Sequence, residues 1–151
     1  MNGAAKWNLG AALLLAGLML GGCGLRNQSR EINLVFDGKR CKASGPQVVE
    51  PGNMIIDLEN RTDGLVLVDV YRLNAGKTWQ DMLGHFGVPG DFELRPEWAH
   101  GVSASMVRGN PNAREYLLMP GTYGVVCLFM GGGTNGIWPA TQVAVGPEIG
   151  D

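Results

Sequence analysis

Residues 120–129 read Pro-Gly-Thr-Tyr-Gly-Val-Val-Cys-Leu-Phe and are the clearest strand signal in the chain. The segment opens on Pro-Gly, a pair that favours a turn. From Thr122 to Phe129 it is strongly apolar and rich in β-branched and aromatic side chains, a composition typical of a buried strand. The segment therefore predicts a long apolar strand that carries Cys127.

Shorter runs of the same kind lie on the N-terminal side of this strand and beyond it. They alternate apolar and polar residues or form short apolar runs, and Gly, Pro, Asn and Asp separate them. Strands are predicted at 32–36, 47–49, 54–59, 65–73, 114–119, 122–129 and 141–145, with at most one more near 102–107 in a connecting region over 87–113. Several short strands at close intervals favour an antiparallel β-sandwich or barrel.

One short helix is predicted from Thr78 onward. Thr78 can cap its start, and Asp81, three residues later, can bond back to the cap much as in a capping box. Apolar residues at 79, 82, 83 and 86 follow at helical spacing. Asp81 and His85 stand four residues apart and could form an acid/base pair, although a solvated helix face with a weak ion pair is the simpler interpretation.

Composition limits the classes of function. Of the 151 residues, 45% are hydrophobic and 17% are charged, with a formal net charge of −2. This is too apolar for a disordered tail. Without a clustered basic patch, the chain has little attraction for nucleic acid.

The N-terminal residues have the pattern of an export signal. Lys6 precedes an uncharged apolar stretch, Leu9–Leu20. As a helix this stretch would be about 18 Å long, which is too short for a hydrocarbon core of roughly 30 Å but typical of a signal peptide. The sequence Leu20-Gly21-Gly22-Cys23 resembles the lipobox of bacterial lipoproteins, which implies cleavage before Cys23 and diacylglycerol on its sulfur. The alternative is an ordinary secretory signal and a soluble exported protein.

The expected export of the chain determines the oxidation state predicted for the other two cysteines. Cys41 and Cys127 form an even pair, and in an oxidising compartment such a pair predicts a disulfide. Closing a loop of this length would stabilise the fold by up to about 4–5 kcal/mol. A metal-bound thiolate or a reactive nucleophile at Cys127 are the alternatives.

Three segments together resemble the cupredoxin-like family. Pro120-Gly121-Thr122-Tyr123 followed by Cys127 is similar to the family's late strand, and residues 49–60 are similar to its strand that ends in Asn. Residues 70–82, with Arg-Leu, Gly-Lys-Thr and Asp, are similar to a copper-free exported branch. The resemblance covers roughly 32–146 and implies a Greek-key β-sandwich.

The resemblance does not extend to the copper ligands. Blue-copper sites use two imidazoles, a thiolate and a weak axial thioether. Residues 61–73 contain no histidine, and the residues after Cys127 offer only Met130, while the two histidines, His85 and His100, lie elsewhere. In the copper-free branch, the cysteine position is implied to form a disulfide with an early cysteine, which corresponds to Cys41.

One segment, 130–139, is a candidate for partner binding. Met130, Ile137 and Trp138 are apolar or aromatic residues in a Gly-rich loop, and aromatic residues in loops on a rigid scaffold commonly mark contact sites. In the alternative interpretation, Trp138 folds back and caps the core.

Together these observations predict a domain organisation and a function. We expect a signal peptide at 1–22, a lipidated Cys23 with a polar tether over 23–31, and a cupredoxin-like β-sandwich at 32–147. The expected function is that of a membrane-anchored extracytoplasmic binding or structural module, without enzymatic activity, metal or cofactor. Its expected partners are membrane lipid, through acyl chains such as palmitate on Cys23, and a protein or small molecule. The alternative function is copper binding or electron transfer through Cys127.

Overall fold

A computed structural model describes residues 30–86, 96–131 and 134–146. The predicted signal peptide (1–22), Cys23 and most of the tether lie outside the described residues. Along the described chain the elements are β1 (Glu31–Phe36), β2 (Cys41–Ser44), β3 (Val48–Val49), β4 (Gly52–Asn60), β5 (Leu65–Leu73), α1 (Trp79–Phe86), β6 (Ala99–Gly101), β7 (Ala104–Val107), β8 (Asn110–Leu118), β9 (Gly121–Gly131) and β10 (Thr134–Val145).

The strands form two five-stranded sheets. Sheet I has the order β2-β1-β4-β8-β7, and sheet II has the order β3-β10-β9-β5-β6. Neighbouring strands are antiparallel except for the pairs β1–β4 and β3–β10, which are parallel. The prediction of an all-β sandwich with one short helix is therefore confirmed, with both sheets mixed rather than purely antiparallel.

The main core fills the space between the two sheets. Alternate residues of each strand point inward, as the period of a pleated strand requires. The largest of these side chains are fully buried and come from both sheets: Ile32, Leu34, Phe36, Met54, Ile56, Val70, Tyr116, Leu118, Tyr123 and Val125. Burial of this apolar surface is the principal stabilising contribution to the sandwich.

Helix α1 packs on the outer face of sheet II and forms a second apolar cluster. Its side chain Met82 is fully buried against β5, β6 and β9. The helix approaches β9 closely at Gly124, where a Cβ atom would overlap the Met82 sulfur. Gly124 therefore permits the contact between helix and sheet.

The predicted capping arrangement at the start of α1 is present. The backbone N–H and the hydroxyl of Thr78 both donate to the Asp81 carboxylate at 2.8 Å, and the Asp81 N–H donates back to the Thr78 hydroxyl at 3.3 Å. The hydrogen bond from the Thr78 hydroxyl is the main cause that lowers the pKa of Asp81, and the bond from the Thr78 backbone N–H adds to it. The cap fixes the direction in which α1 leaves the preceding loop.

Two sequence expectations require correction. The region 87–113, expected to hold at most one strand, contains β6, β7 and the start of β8 within its described part. Residues 130–139, expected to form a loop, belong largely to β9 and β10, which pair from Thr134 to Val145 with a register shift between Pro139 and Thr141. The irregularity accommodates Pro139, which cannot donate to a regular ladder.

Candidate functional site

A disulfide joins the two sheets through the core. It links Cys41, on the edge strand β2 of sheet I, to Cys127, on the inner strand β9 of sheet II, with their Cα atoms 6.1 Å apart. Cys127 is fully buried and Cys41 nearly so. The predicted disulfide is confirmed, and in this oxidised state both sulfur atoms are engaged with each other.

The structure does not bring the histidines to Cys127. His85, on α1, makes edge-to-face ring contacts with Phe86 and Trp98 on the outer face of sheet II, whereas Cys127 points into the core. His100, on β6, pairs with Arg72 near the end of β5, far along that strand from the Val68–Cys127 pair. Within the described residues, no cluster of three His, Cys, Asp or Glu side chains could hold a metal ion.

The described interactions of the Asp81 carboxylate are with Thr78 and Lys77, which fits the simpler interpretation of a helix face with a weak ion pair rather than an acid/base pair with His85. The carboxylate accepts the capping hydrogen bonds from Thr78 and lies 3.9 Å from the Lys77 ammonium. The Lys77–Asp81 pair is partly exposed and therefore stabilises the helix only slightly. Asp81 is the partner of the N-cap residue Thr78 in a capping-box arrangement.

Trp138 packs inward, not outward as part of a binding loop. Its ring lies 5.2 Å from that of Phe36 and 6.2 Å from that of Phe129, both in edge-to-face arrangements. These three rings close the core beside the disulfide, since Trp138 pairs in register with Cys127. Of the two interpretations of the sequence, the structure fits the one in which Trp138 folds back onto the core, so Trp138 does not share a surface with Met130 and Ile137.

Ile137 and Met130 face the opposite way, because successive residues of a strand point to opposite faces of the sheet. Ile137 pairs with Leu128 and contacts the cluster under α1, and Met130 is 40% exposed on the same outer face. On the adjacent strand, Leu67 pairs with Leu128 and Leu65 pairs with Met130.

These side chains form one apolar surface on the outer face of sheet II, which we call the outer patch. It consists of Leu65, Leu67, Leu128, Met130 and Ile137. Leu65 is 55% exposed and Leu67 is 42% exposed, and Leu128 is buried at the centre between Leu67 and Ile137. Contiguous exposed apolar side chains of this kind are typical of interaction sites.

Among the described residues, α1 covers only part of the outer face of sheet II. The helix has 8 residues, equivalent to about 12 Å, whereas β9 has 11 residues, equivalent to about 36 Å. The helix covers the part of sheet II around Gly124 and Tyr71. On β5, Asp69 separates the outer patch from the part of the strand that α1 covers. Its carboxylate accepts a hydrogen bond from the Tyr71 hydroxyl at 2.9 Å.

The patch adjoins an open edge of sheet II. On its outer side, β5 pairs with β6 only at Tyr71–Leu73, and the Val102 N–H donates to the Val70 carbonyl at 2.8 Å. Backbone groups of alternate residues point the same way, so those of Val66 and Val68 face this edge. In the described part of the chain, no strand pairs with them there, and the Val68 carbonyl instead accepts a hydrogen bond from Tyr116.

Sequence reasoning anticipated Met130 and Ile137 but missed Leu65 and Leu67. Residues 65–68 read Leu-Val-Leu-Val, so both faces of this strand are apolar and the pattern carries no sign of which face is covered. The open edge of β5 also has no sequence signal, because it depends on where β6 stops pairing.

Comparison with protein-family models and with curated proteins found no match to this chain. Among the described residues, no helix has the length and apolarity needed to cross a membrane.

Proposed function

We propose that the protein is a membrane-anchored extracytoplasmic lipoprotein whose copper-less, cupredoxin-like Greek-key domain binds a partner and performs no chemistry of its own. The observation that carries this proposal is the Cys41–Cys127 disulfide. The residue that would supply the thiolate of a blue-copper site instead ties the two sheets together. A rigid sandwich with an exposed apolar patch is suited to holding another molecule.

The strand order supports the cupredoxin-like assignment. Strand β4 ends in Asn60, a turn follows, and β5 begins in the other sheet, in the order that the resemblance implies. Strands β8 and β9 likewise change sheets across Pro120. Repeated exchange between sheets is characteristic of Greek-key connections.

The sequence at Leu20–Cys23 supports the anchor, and substitution of the acylated residue tests it. Two acyl chains attach a protein stably, because each buried methylene contributes about 0.8 kcal/mol. We expect Cys23→Ala to abolish palmitate incorporation and to move the protein from the membrane fraction to the soluble fraction. The matched control is the double substitution Cys41→Ala with Cys127→Ala, which should leave both measurements unchanged. Unaltered membrane fractionation of Cys23→Ala would contradict the lipoprotein assignment.

The copper alternative makes a different prediction for the same domain. Reduction of the disulfide followed by addition of copper(II) would produce an intense visible thiolate-to-copper absorption band if Cys127 were a ligand. We expect no such band, either in the reduced protein or in Cys41→Ala, which frees Cys127 without a reductant. A strong band that Cys127→Ala removes would replace the binding-module proposal with a copper site.

A further inference from the structure

We propose that the end of the sandwich at which the tether joins β1 lies on the lipid bilayer, with the turn between β8 and β9 (117–121) inserted among the lipid headgroups. This inference rests on the proposed lipid anchor at Cys23 and specifies which surface of the domain the membrane covers. The occupant of that surface is the phospholipid of the membrane that carries the anchor.

The β8–β9 turn projects beyond the point where the tether enters the sandwich. The carbonyl of Arg30, the first described residue, accepts a hydrogen bond from the Ile55 N–H at 2.8 Å. Strands β4 and β8 continue past Ile55 to the Gly52–Leu118 pair, a distance of about 10 Å. Met119 follows Leu118, so in the direction of the strands it lies farther out than Arg30.

The length of the tether fits this orientation. Residues 23–29 span at most about 25 Å, and with the turn on the membrane Arg30 stands only about 10 Å above it. The opposite end of the sandwich, at the level of Phe36 and Asn60, lies about 20 Å from Arg30. Contact through that end would need an almost fully extended tether, which is entropically costly. The anchor therefore favours the end that carries the turn.

The exposed side chains at this end suit insertion into a lipid surface. Leu117 is 61% exposed and Met119 is 55% exposed. Val48, on β3, is 64% exposed and lies at the same end, because β3 pairs with the part of β10 beside Gly121. Apolar side chains at a membrane surface are stabilised when they enter the boundary between headgroups and acyl chains.

The turn is also held in one conformation. The Tyr123 hydroxyl bonds both the N–H and the carbonyl of Met119, and the Arg72 guanidinium donates to the Pro120 carbonyl at 2.7 Å. A preformed turn loses little conformational entropy when it binds. Arg72 is exposed, and a guanidinium group is well suited to pairing with phosphate. The turn therefore combines apolar side chains with a cation for the lipid headgroups.

The anchor makes a small contact area sufficient. A tethered domain meets the surface beside it at an effective concentration that is roughly millimolar. The contact therefore needs only weak intrinsic affinity, and we expect Cys23→Ala to remain in solution when phosphatidylcholine vesicles are added. Strong vesicle binding by Cys23→Ala would contradict a contact that depends on the anchor.

The test measures the access of water to methionine methyl groups by NMR. A water-soluble gadolinium chelate enhances the relaxation of exposed methyl groups, each assigned by substitution of its methionine with leucine. The lipidated full protein, at one copy per phosphatidylcholine nanodisc, is compared with Cys23→Ala in solution. We expect anchoring to reduce the enhancement at Met119 about fivefold or more.

Met130 is the internal control. It is 40% exposed and lies about 30 Å from Gly121 along β9, so its enhancement should be the same in both samples. Equal enhancement of Met119 in the anchored and soluble proteins, or an equal reduction at Met130, would overturn the proposal. Only lipid and a single copy of the chain are present, so shielding of Met119 is assigned to the bilayer.

Two exposed leucines at opposite ends of the sandwich provide matched variants. Leu117→Asp places a charge beside the turn, and we expect it to restore the enhancement at Met119 to its value in solution. Leu65→Asp changes a leucine that is 55% exposed at the far end of β5 and should leave Met119 shielded. Shielding that survives Leu117→Asp, or that both variants abolish, would overturn the assignment to this end. Thermal unfolding of each variant verifies that the sandwich is intact.

The membrane contact and the anchor fail in distinguishable ways. Palmitate incorporation and membrane fractionation report on the anchor, whereas the enhancement at Met119 reports on the orientation of the domain. An anchored protein in which Met119 stays open to the chelate would refute the membrane contact and leave the lipoprotein assignment in place. A chain that carries no lipid would refute both.

Discussion

The hydroxyl of Tyr116, on β8 of sheet I, donates a hydrogen bond of 3.1 Å to the carbonyl oxygen of Val68, on β5 of sheet II. The side chain of Tyr116 is almost completely buried, so its phenol crosses the core to reach the other sheet. The bond satisfies a carbonyl group that faces the open edge of β5. It therefore fixes the strand that borders the outer patch.

The buried phenol predicts a loss of stability at alkaline pH. Burial, together with the nearby Asp69, raises the pKa of Tyr116 to about 12, above the value near 10 expected in the unfolded chain. Its contribution to stability is therefore fully present below pH about 10 and is lost as the pH rises toward 12. Urea unfolding across this window should show a smaller alkaline decline for Tyr116→Phe than for the unsubstituted protein. Equal declines would contradict the assignment.

Removal of the inter-sheet disulfide should be strongly destabilising. Cys41 and Cys127 are 86 residues apart in sequence, so the crosslink greatly restricts the unfolded chain. We expect the double substitution to alanine to lower the free energy of unfolding by about 4 kcal/mol, measured by urea denaturation. Addition of a reductant during unfolding should lower the midpoint of the unsubstituted protein but not that of the double variant. Cys23→Ala, which leaves the crosslink in place, should retain the original stability.

The hydroxyl of Tyr123 should stabilise the protein, because it holds the turn that connects the two sheets. It accepts the Met119 N–H at 3.0 Å and donates to the Met119 carbonyl at 2.7 Å, which closes the connection from β8 to β9. Tyr123→Phe keeps the ring in the core but leaves two backbone groups without these partners. We expect a loss of about 1–3 kcal/mol in the free energy of unfolding. An unchanged urea midpoint would show that water replaces the hydroxyl at no cost.

Two glycines near α1 should respond in opposite directions to the same substitution. Gly124→Ala would place a methyl group against the Met82 sulfur, so the buried Met82 side chain would have to shift, whereas a methyl group at Gly84 on α1 would meet no neighbouring atom. We expect Gly124→Ala to destabilise the protein by about 1–3 kcal/mol and Gly84→Ala to stabilise it by up to about 1 kcal/mol. Trp79 fluorescence should change in Gly124→Ala only, and a similar response in both variants would contradict the close helix–sheet contact.

Local patterns predicted most of the elements. The apolar run containing Cys127, the alternating strands 32–36 and 54–59, and the Thr78–Asp81 cap all appear in the structure close to their expected positions. Each depends on residues a few positions apart, so the sequence contains the complete signal. The short strands β2 and β6 were missed, because they exist only through pairing with β1 and β5.

The candidate site was only partly predictable. Met130 and Ile137 were identified from their apolar character, but the structure adds Leu65 and Leu67 and turns Trp138 into the core. A Gly-rich segment was expected to form a loop, yet β10 pairs with β9 along nearly its whole length. Because successive residues of a strand point to opposite faces of the sheet, Ile137 and Trp138 lie on opposite faces of sheet II.

By itself, therefore, the sequence determined that this chain forms short strands, one capped helix and a pair of cysteines suited to a disulfide. These features depend on local periodicity and residue chemistry. The tertiary structure alone decided which face of β5 remains uncovered and where its edge stays unpaired. Within the described residues, both depend on where α1 and β6 contact sheet II, and those contacts join segments far apart in the chain.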